Sequence, residues 1–428
     1  MRGTTAAVIA AMIVAASVTP ARSAQAAPGF EVVPGEFLVR NPGVVMSDME
    51  ALSDGWYLIH DATVEFANGR AAALSRDLAA LVIPNRVVQL ASDPLVSDQW
   101  ALENTGQTGG TVDADIDADA AWAFTEGNPS VVVAVIDTGV DLDHPDLAGR
   151  LWINAGEIPG NGVDDDQNGY IDDVNGWDFS ASDNSPDDEY GHGTAVAGMA
   201  AADLNGVGTV GIAPQITIMP LRACSPGCPI STLVAAVAYA RNNGADIINM
   251  SLGGTGPYFD PLRDELTASP DVLVTAAAGN TASNSDPNPF FPAGFGLPNI
   301  LSVASTDDSD QLSGFSNFGE VTVDLAAPGE NVLTTSIGGW ANASGTSFSS
   351  PLVAGVAGLV LSLRPGSPPE EVIDLILAGV DSLPSLTGKT KTGGRLNAGA
   401  TVFAATGPVA SISLSTTDAT VPATVTLD

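Results

Sequence analysis

From Ser130 onward, short apolar runs recur at intervals along the chain: Val131–Ile136, Ile216–Leu221, Asp246–Met250, Val272–Ala277 and Ile300–Ala304. Each is five or six residues of mostly β-branched or small apolar side chains with no polar alternation. A strand that reads this way has both faces buried, which is the signature of parallel pairing. Helical stretches lie between or after them at His192–Asp203, Ser231–Asn242, Ser347–Leu363 and Pro369–Ala378. Strands alternating with helices can bury their surfaces only as a sheet covered on both sides. The expected fold is therefore α/β, a doubly wound and mostly parallel sheet flanked by helices. In such a fold, functional residues gather at the carboxyl ends of the strands.

The chain outside this region reads differently. Residues 1–26 have the form of a secretory signal peptide: Arg2, an apolar stretch Ala6–Val18, and the small-x-small triplet Ala24-Gln25-Ala26. That stretch is short for a membrane span, and no later segment qualifies as one. Residues 27–92 read as a small α+β unit, with strands at Gly35–Arg40 and Arg86–Leu90 and a helix at Gly69–Leu81. Residues 93–405 form the large α/β unit. Residues 406–428, with strand-like Val409–Leu414 and Ala423–Leu427, read as the start of a β-sandwich module.

Charge excludes one class of partner. The net charge is −36 and the only lysines are Lys389 and Lys391. A face basic enough to neutralise phosphates is not available, so nucleic acid is not an expected partner. From Leu151 through Leu221 there is no Lys or Arg, while Asp and Glu crowd Glu157–Glu189. Bound divalent cations would neutralise part of that charge; a solvated acidic face is the other reading. Cys224 and Cys228, the two cysteines, read as a local disulfide in an exported protein.

Three residue types sit where strand and helix junctions place chemistry. Asp137 ends the first apolar run. His192 opens a helix within Gly191-His192-Gly193-Thr194. Ser347 stands at the start of a small, apolar helix in Gly345-Thr346-Ser347. A helix start offers unpaired N–H groups and a partial positive charge, which suit a serine that attacks a carbonyl, although Ser is also an ordinary helix cap. Together an acid, an imidazole and a hydroxyl make a general-base arrangement for serine catalysis. His60 and His144 are the other histidines; His144, before Pro145, reads as a surface turn residue. Asn280 follows a strand in Ala277-Ala278-Gly279-Asn280, where its amide can serve as an oxyanion donor beside the Ser347 N–H.

These blocks resemble the subtilisin-like serine proteases, the subtilases. Val135-Ile136-Asp137-Thr138-Gly139-Val140, His144-Pro145-Asp146-Leu147, Gly191-His192-Gly193-Thr194, Asn249-Met250-Ser251-Leu252-Gly253-Gly254, Ala277-Ala278-Gly279-Asn280 and Gly345-Thr346-Ser347 stand in that family's order. The resemblance covers roughly Asp93–Gly399. It implies a triad of Asp137, His192 and Ser347, with Asn280 in the oxyanion hole. It further implies that Ser251, Leu252 and Gly253 form a cleft wall that pairs with the substrate backbone. It also implies that residues 27–92 are an inhibitory pro-domain. The chain departs from the family at Ala195, where a second histidine is common, and at Phe348, Ser349 and Leu352 beside the serine.

Calcium is the expected cofactor. Asp164, Asp166, Asn168 and Asp172, with the Tyr170 carbonyl, match the opening of an EF-hand-like loop, although Asn175 stands where that loop has Glu. The resemblance implies a second site with Asp93, Asp146 and Asn205. Asp183, Asp187 and Asp188 are candidates for a further ion. The resulting expectation is a secreted, calcium-stabilised, monomeric serine endopeptidase acting on proteins or peptides, with its own pro-domain as intramolecular inhibitor. The alternative is a calcium-dependent surface or binding protein on an inactive protease scaffold.

Overall fold

The computed structural model describes residues 93–407, and before them the strands β1 (Val32–Arg40), β2 (Met49–Ala51), β3 (Trp56–His60) and β4 (Leu81–Arg86). Those four make an antiparallel sheet in the order β2-β3-β1-β4. The last strand differs from expectation: it occupies Leu81–Arg86 rather than Arg86–Leu90. Leu81-Val82-Ile83 supplies the apolar, β-branched run that favours extended backbone. The helix expected over Gly69–Leu81 cannot include Leu81, and its other residues lie outside the described ones. So do the expected signal peptide and the strands after residue 407.

The main unit continues with α1 (Ala118–Trp122), β5 (Val132–Asp137), β6 (Trp177–Asp178), α2 (His192–Ala201), β7 (Thr217–Arg222), α3 (Ile230–Asn242) and β8 (Ile247–Met250). Next come α4 (Asp260–Thr267), β9 (Leu273–Ala277), β10 (Ile300–Thr306) and β11 (Leu325–Pro328), then a hairpin of β12 (Val332–Ser336) and β13 (Gly339–Ala343). α5 (Thr346–Leu363), α6 (Pro369–Ala378), β14 (Asp381–Ser382), β15 (Gly394–Arg395) and α7 (Ala398–Ala405) complete it.

The central sheet runs β14-β15-β11-β10-β9-β8-β5-β7-β6. Its pairs are parallel except β14 with β15 at the edge. The apolar runs of the sequence are its core strands, and every residue of β5, β8, β9 and β10 is buried. Period-2 alternation then splits each strand between two cores. Val133 and Val135 join the core under α2, α5, α6 and α7, whereas Val132, Ala134 and Ile136 join the one under α3 and α4. This is the two-sided covering that the continuous apolar runs require.

After β5 the chain runs to β6 at the sheet edge, returns to β7 beside β5, and then crosses to β8 on the other side of β5. The strand order therefore reverses at β5, and the carboxyl end of β5 is the switch point where a doubly wound sheet opens a crevice. Asp137 is the last residue of β5. Among the described residues one helix, α5, is long and apolar enough to cross a membrane, and it is the buried central helix of the larger core.

Candidate active site

β5 delivers Asp137 to the switch point, 2% exposed. Its carbonyl accepts the N–H of Ala223 (2.9 Å) and of Cys224 (3.1 Å), which ties it to the loop after β7. That loop is closed by a disulfide between Cys224 and Cys228. Asp137 Oδ1 takes the Thr138 N–H at 2.8 Å and lies 2.7 Å from His192 Nδ1. With Nδ1 engaged by the carboxylate, Nε2 is the ring nitrogen left to exchange a proton.

His192 opens α2 because its neighbours permit a close approach. A Cβ on Gly193 would come within 2.1 Å of the Gly139 carbonyl oxygen and 3.0 Å of Asp137 Cβ. Only glycine lets the helix start touch the end of β5. The helix start is capped by Asp188, a residue whose role the sequence does not announce. Asp188 Oδ1 accepts from Tyr190 N (2.8 Å) and Gly191 N (2.9 Å), and Oδ2 from Thr194 N (2.9 Å) and Thr194 Oγ1 (2.7 Å). This carboxylate is a helix cap, which corrects its place among the candidate ion ligands: its lone pairs already face four donors. Burial pushes the His192 pKa down, but the charge and hydrogen bond of Asp137, with the charge of Asp188, outweigh it and leave the imidazole raised above its ordinary value.

α5 presents Ser347 in its first turn, 8% exposed. The Ser347 hydroxyl donates to the Ser251 carbonyl at 3.2 Å. The ring of Phe348, the residue after Ser347, has its centroid 5.7 Å from that of His192. A recess beside them is lined by Tyr190, Ala195, Thr335, Ile337, Ala343 and Phe348. The departures at Ala195 and Phe348 thus both line this recess.

Asn280 is held through its oxygen. Asn280 Oδ1 accepts the Thr346 N–H and the Thr346 hydroxyl, both at 2.9 Å. That anchoring leaves Nδ2 as the free donor at the start of α5, next to Ser347. The loop carrying Asn280 is fixed by buried Asn317, which accepts from Thr281 N (3.0 Å), Thr281 Oγ1 (2.8 Å) and Ser283 N (3.1 Å) and donates to the Ala278 carbonyl (2.9 Å). Ser251, Leu252 and Gly253 extend β8 past its carboxyl end. A Cβ on Gly253 would meet the Phe291 carbonyl oxygen at 2.3 Å, so this segment needs glycine to pass Phe290 and Phe291.

The cation candidates fall into two groups. Asp93 and Asp146 are both essentially buried, and Asp93 Oδ2 and Asp146 Oδ1 accept no hydrogen bond. Burial, with the Asp146 charge, pushes Asp93 up to about 6 against backbone hydrogen bonds from the 205–207 loop. Two orphaned carboxylate oxygens in one buried place fit a hard cation. Asn205 stands exposed beside them: its Oδ1 takes Val207 N (2.9 Å) and its Nδ2 donates to the Pro145 carbonyl (2.9 Å). In the acidic loop, Glu157, Asp164 and Asp166 bring ligand oxygens within 4.8 Å of one another. Glu157 stands outside the sequence motif. Asn168 Nδ2 hydrogen-bonds Asp166 and Asp173 (3.2 and 2.9 Å), while Asp172 takes Asn161 N and Gly162 N (3.0 and 2.9 Å). The Tyr170 ring packs edge-on against Trp177, Phe179 and Tyr239.

His144 is not the surface turn residue expected. It is 1% exposed, its Nε2 lies 2.8 Å from the Gly339 carbonyl, and its ring meets Trp340 edge-on at 5.6 Å. It therefore docks the β12–β13 hairpin beside Asp146, which accepts the Trp340 N–H at 2.6 Å.

Residues 128–397, more than half of the chain, match the Subtilase family. Thermitase from Thermoactinomyces vulgaris is 40% identical over 252 residues, 58% of this chain and 80% of thermitase. The halolysin-like extracellular serine protease Nep of Natrialba magadii is 34% identical over 292 residues, 67% of this chain and 48% of that protein. This chain thus spans about half the length of its halolysin-type relatives. Among solved structures, a protease of Pseudoalteromonas arctica superposes with a TM-score of 0.59 at 27% identity, covering 73% of this chain and 99% of the other.

Proposed function

The chain belongs to the subtilase family, its catalytic unit is that of a subtilisin-like serine endopeptidase, and we propose that Asp137, His192, Ser347 and Asn280 carry the reaction. The observation that supports this most is the 2.7 Å contact of Asp137 with His192 Nδ1 at the carboxyl end of β5. Ser347 Oγ attacks the scissile carbonyl carbon, and its proton passes to His192 Nε2. The oxyanion is held by the Asn280 amide and the Ser347 N–H at the positive end of α5. The C–N bond breaks as His192 returns the proton to the leaving amine. Water then hydrolyses the acyl-enzyme, with His192 again as base. Ser251, Leu252 and Gly253 carry the substrate as an added strand.

Calcium is the proposed structural ion. Asp93 and Asp146 would hold one ion through their unpartnered oxygens, with Asn205 and its loop contributing oxygen ligands. Glu157, Asp164 and Asp166 would hold another, with Asn168, Tyr170 and Asp172 shaping the loop. The ion supplies charge neutralisation and no catalytic step. The protein is exported by residues 1–26, as the extracellular halolysin-like relative supports, and acts as a monomer. Residues 27–92 are an inhibitory pro-domain removed by self-cleavage before the catalytic unit 93–405.

The test is casein hydrolysis by the full chain beside Ser347→Ala, with calcium and with chelator. Wild type is expected to release its pro-segment and digest casein, and the variant to do neither. A wild-type protein that is folded and freed of its pro-segment, yet inert on protein substrates, would overturn the endopeptidase reading.

A further inference from the structure

α5 carries a proline inside its first turns, Pro351. A proline has no N–H, so the carbonyl four residues before it loses its helical donor. That carbonyl belongs to Ser347, and it accepts the Ser251 hydroxyl at 2.7 Å. We propose that Ser251 is a positioning residue for the nucleophile, its hydroxyl standing in for the helical N–H that Pro351 lacks. This rests on the reading of Ser347 as nucleophile and goes beyond the backbone role of Ser251 in the cleft.

The hydroxyl is itself aimed from below. Asn249 Nδ2 donates to Ser251 Oγ at 2.9 Å, which leaves the Ser251 proton free to point at Ser347. Asn249 Oδ1 in turn accepts from Thr275 Oγ1 (3.0 Å) on the neighbouring strand and from Ser350 Oγ (2.8 Å) on α5. Asn249, Thr275 and Ser350 are fully buried, and Ser251 is 4% exposed. Asn249 and Thr275 are paired residues of β8 and β9. Two sheet strands thus hold the first turn of α5 at both sides of Ser347: Ser251 donates to its carbonyl, and the Ser251 carbonyl receives its hydroxyl. Every polar atom of the Asn249 amide used here has a partner, so the network fixes one geometry rather than several.

Non-additivity tests this. Ser251→Ala, Pro351→Ala and the double variant are compared on a peptide p-nitroanilide, with kcat normalised by fluorophosphonate titration so that misfolded protein lowers the titre and not kcat. Ser251→Ala is expected to lower kcat by about tenfold or more, with KM within about threefold, because misplacement of a nucleophile acts on kcat. In the Pro351→Ala background the same substitution is expected to cost less than about threefold, because an alanine in place of the proline supplies its own N–H to the Ser347 carbonyl. An unchanged kcat in Ser251→Ala, or the same loss in both backgrounds, overturns the inference. Ser347→Ala serves as control: if it retains full activity, it is the nucleophile reading that fails, whatever Ser251 does.

Discussion

Asp188→Asn separates two jobs that one carboxylate does. The substitution keeps shape but turns one acceptor oxygen into an NH2 group. Either Tyr190 and Gly191, or Thr194 through its N–H and hydroxyl, then face a donor in place of an acceptor. Two unsatisfied backbone donors in the first case, or the buried Thr194 N–H alone in the second, where the hydroxyl turns to accept, cost about 2–4 kcal/mol together with the lost charge-assisted bonds, in line with loss of a strong helix cap. For a folded unit of about 315 residues, unfolding entropy converts this to a fall in Tm of about 3–6 °C. Calorimetry in the Ser347→Ala background, where self-digestion cannot interfere, reads that fall.

The second job is electrostatic. Asp188 is one of the charges that hold the His192 pKa above its ordinary value. A general base must be neutral to accept the serine proton, so activity is lost as pH falls through that pKa. Removing the Asp188 charge lowers the pKa, and the acidic limb of kcat/KM is expected to move to lower pH. A Tm within about 1 °C of Ser347→Ala alone would refute the capping account, and an acidic limb that stays in place or moves upward relative to wild type would refute the electrostatic one.

Three further outcomes follow from the site. Asn280→Ala removes a hydrogen bond to a charged oxygen, so kcat should fall by about 10–100-fold with KM nearly unchanged; an equal rise in KM would place Asn280 in ground-state binding instead. Replacing both Cys224 and Cys228 by Ser opens a loop of only five residues, which costs about 2 kcal/mol, or about 3 °C in Tm, by loop-closure entropy; a loss above about 10 °C would mean that the loop does more than anchor the Asp137 carbonyl. Chelation at a starting excess of about 1,000-fold over Kd removes roughly 4 kcal/mol per site, and Asp146→Asn should shrink the calcium-dependent change in Tm. A midpoint indifferent to chelator contradicts the ion reading of Asp93 and Asp146.

The parallel sheet was legible because parallel strands buried on both faces must be apolar throughout, and β5, β8, β9 and β10 are. Asp137, His192 and Ser347, the proposed triad, stand at strand and helix junctions that the sequence already marks. Other features left no periodic trace. The two-residue strands β6, β14 and β15 are too short for any pattern to form. The β12–β13 hairpin turns through Ile337-Gly338, and Gly338-Gly339 was its one signal. Asp188 looks like any carboxylate of an acidic run until its four donors are seen, and Glu157 reaches the Asp164 loop only through the folded chain. His144 precedes a proline, as turn residues do, yet a hairpin nearly two hundred positions away covers it. Asn249 and Ser251 follow a buried strand as small polar residues, and the proline that gives Ser251 its partner lies a hundred residues further on.

The central claim is that one serine is activated by one imidazole. Its most direct test is fluorophosphonate labelling of wild type and of His192→Ala, the variant freed of residues 27–92 by immobilised wild-type protein, with the pro-segment's removal and the adduct's position both read by mass spectrometry. The account predicts a single adduct on Ser347 in wild type and labelling of His192→Ala slowed by at least about a hundredfold, within the range that general-base catalysis supplies. An adduct on another residue, or equal labelling rates in the two proteins, would contradict it.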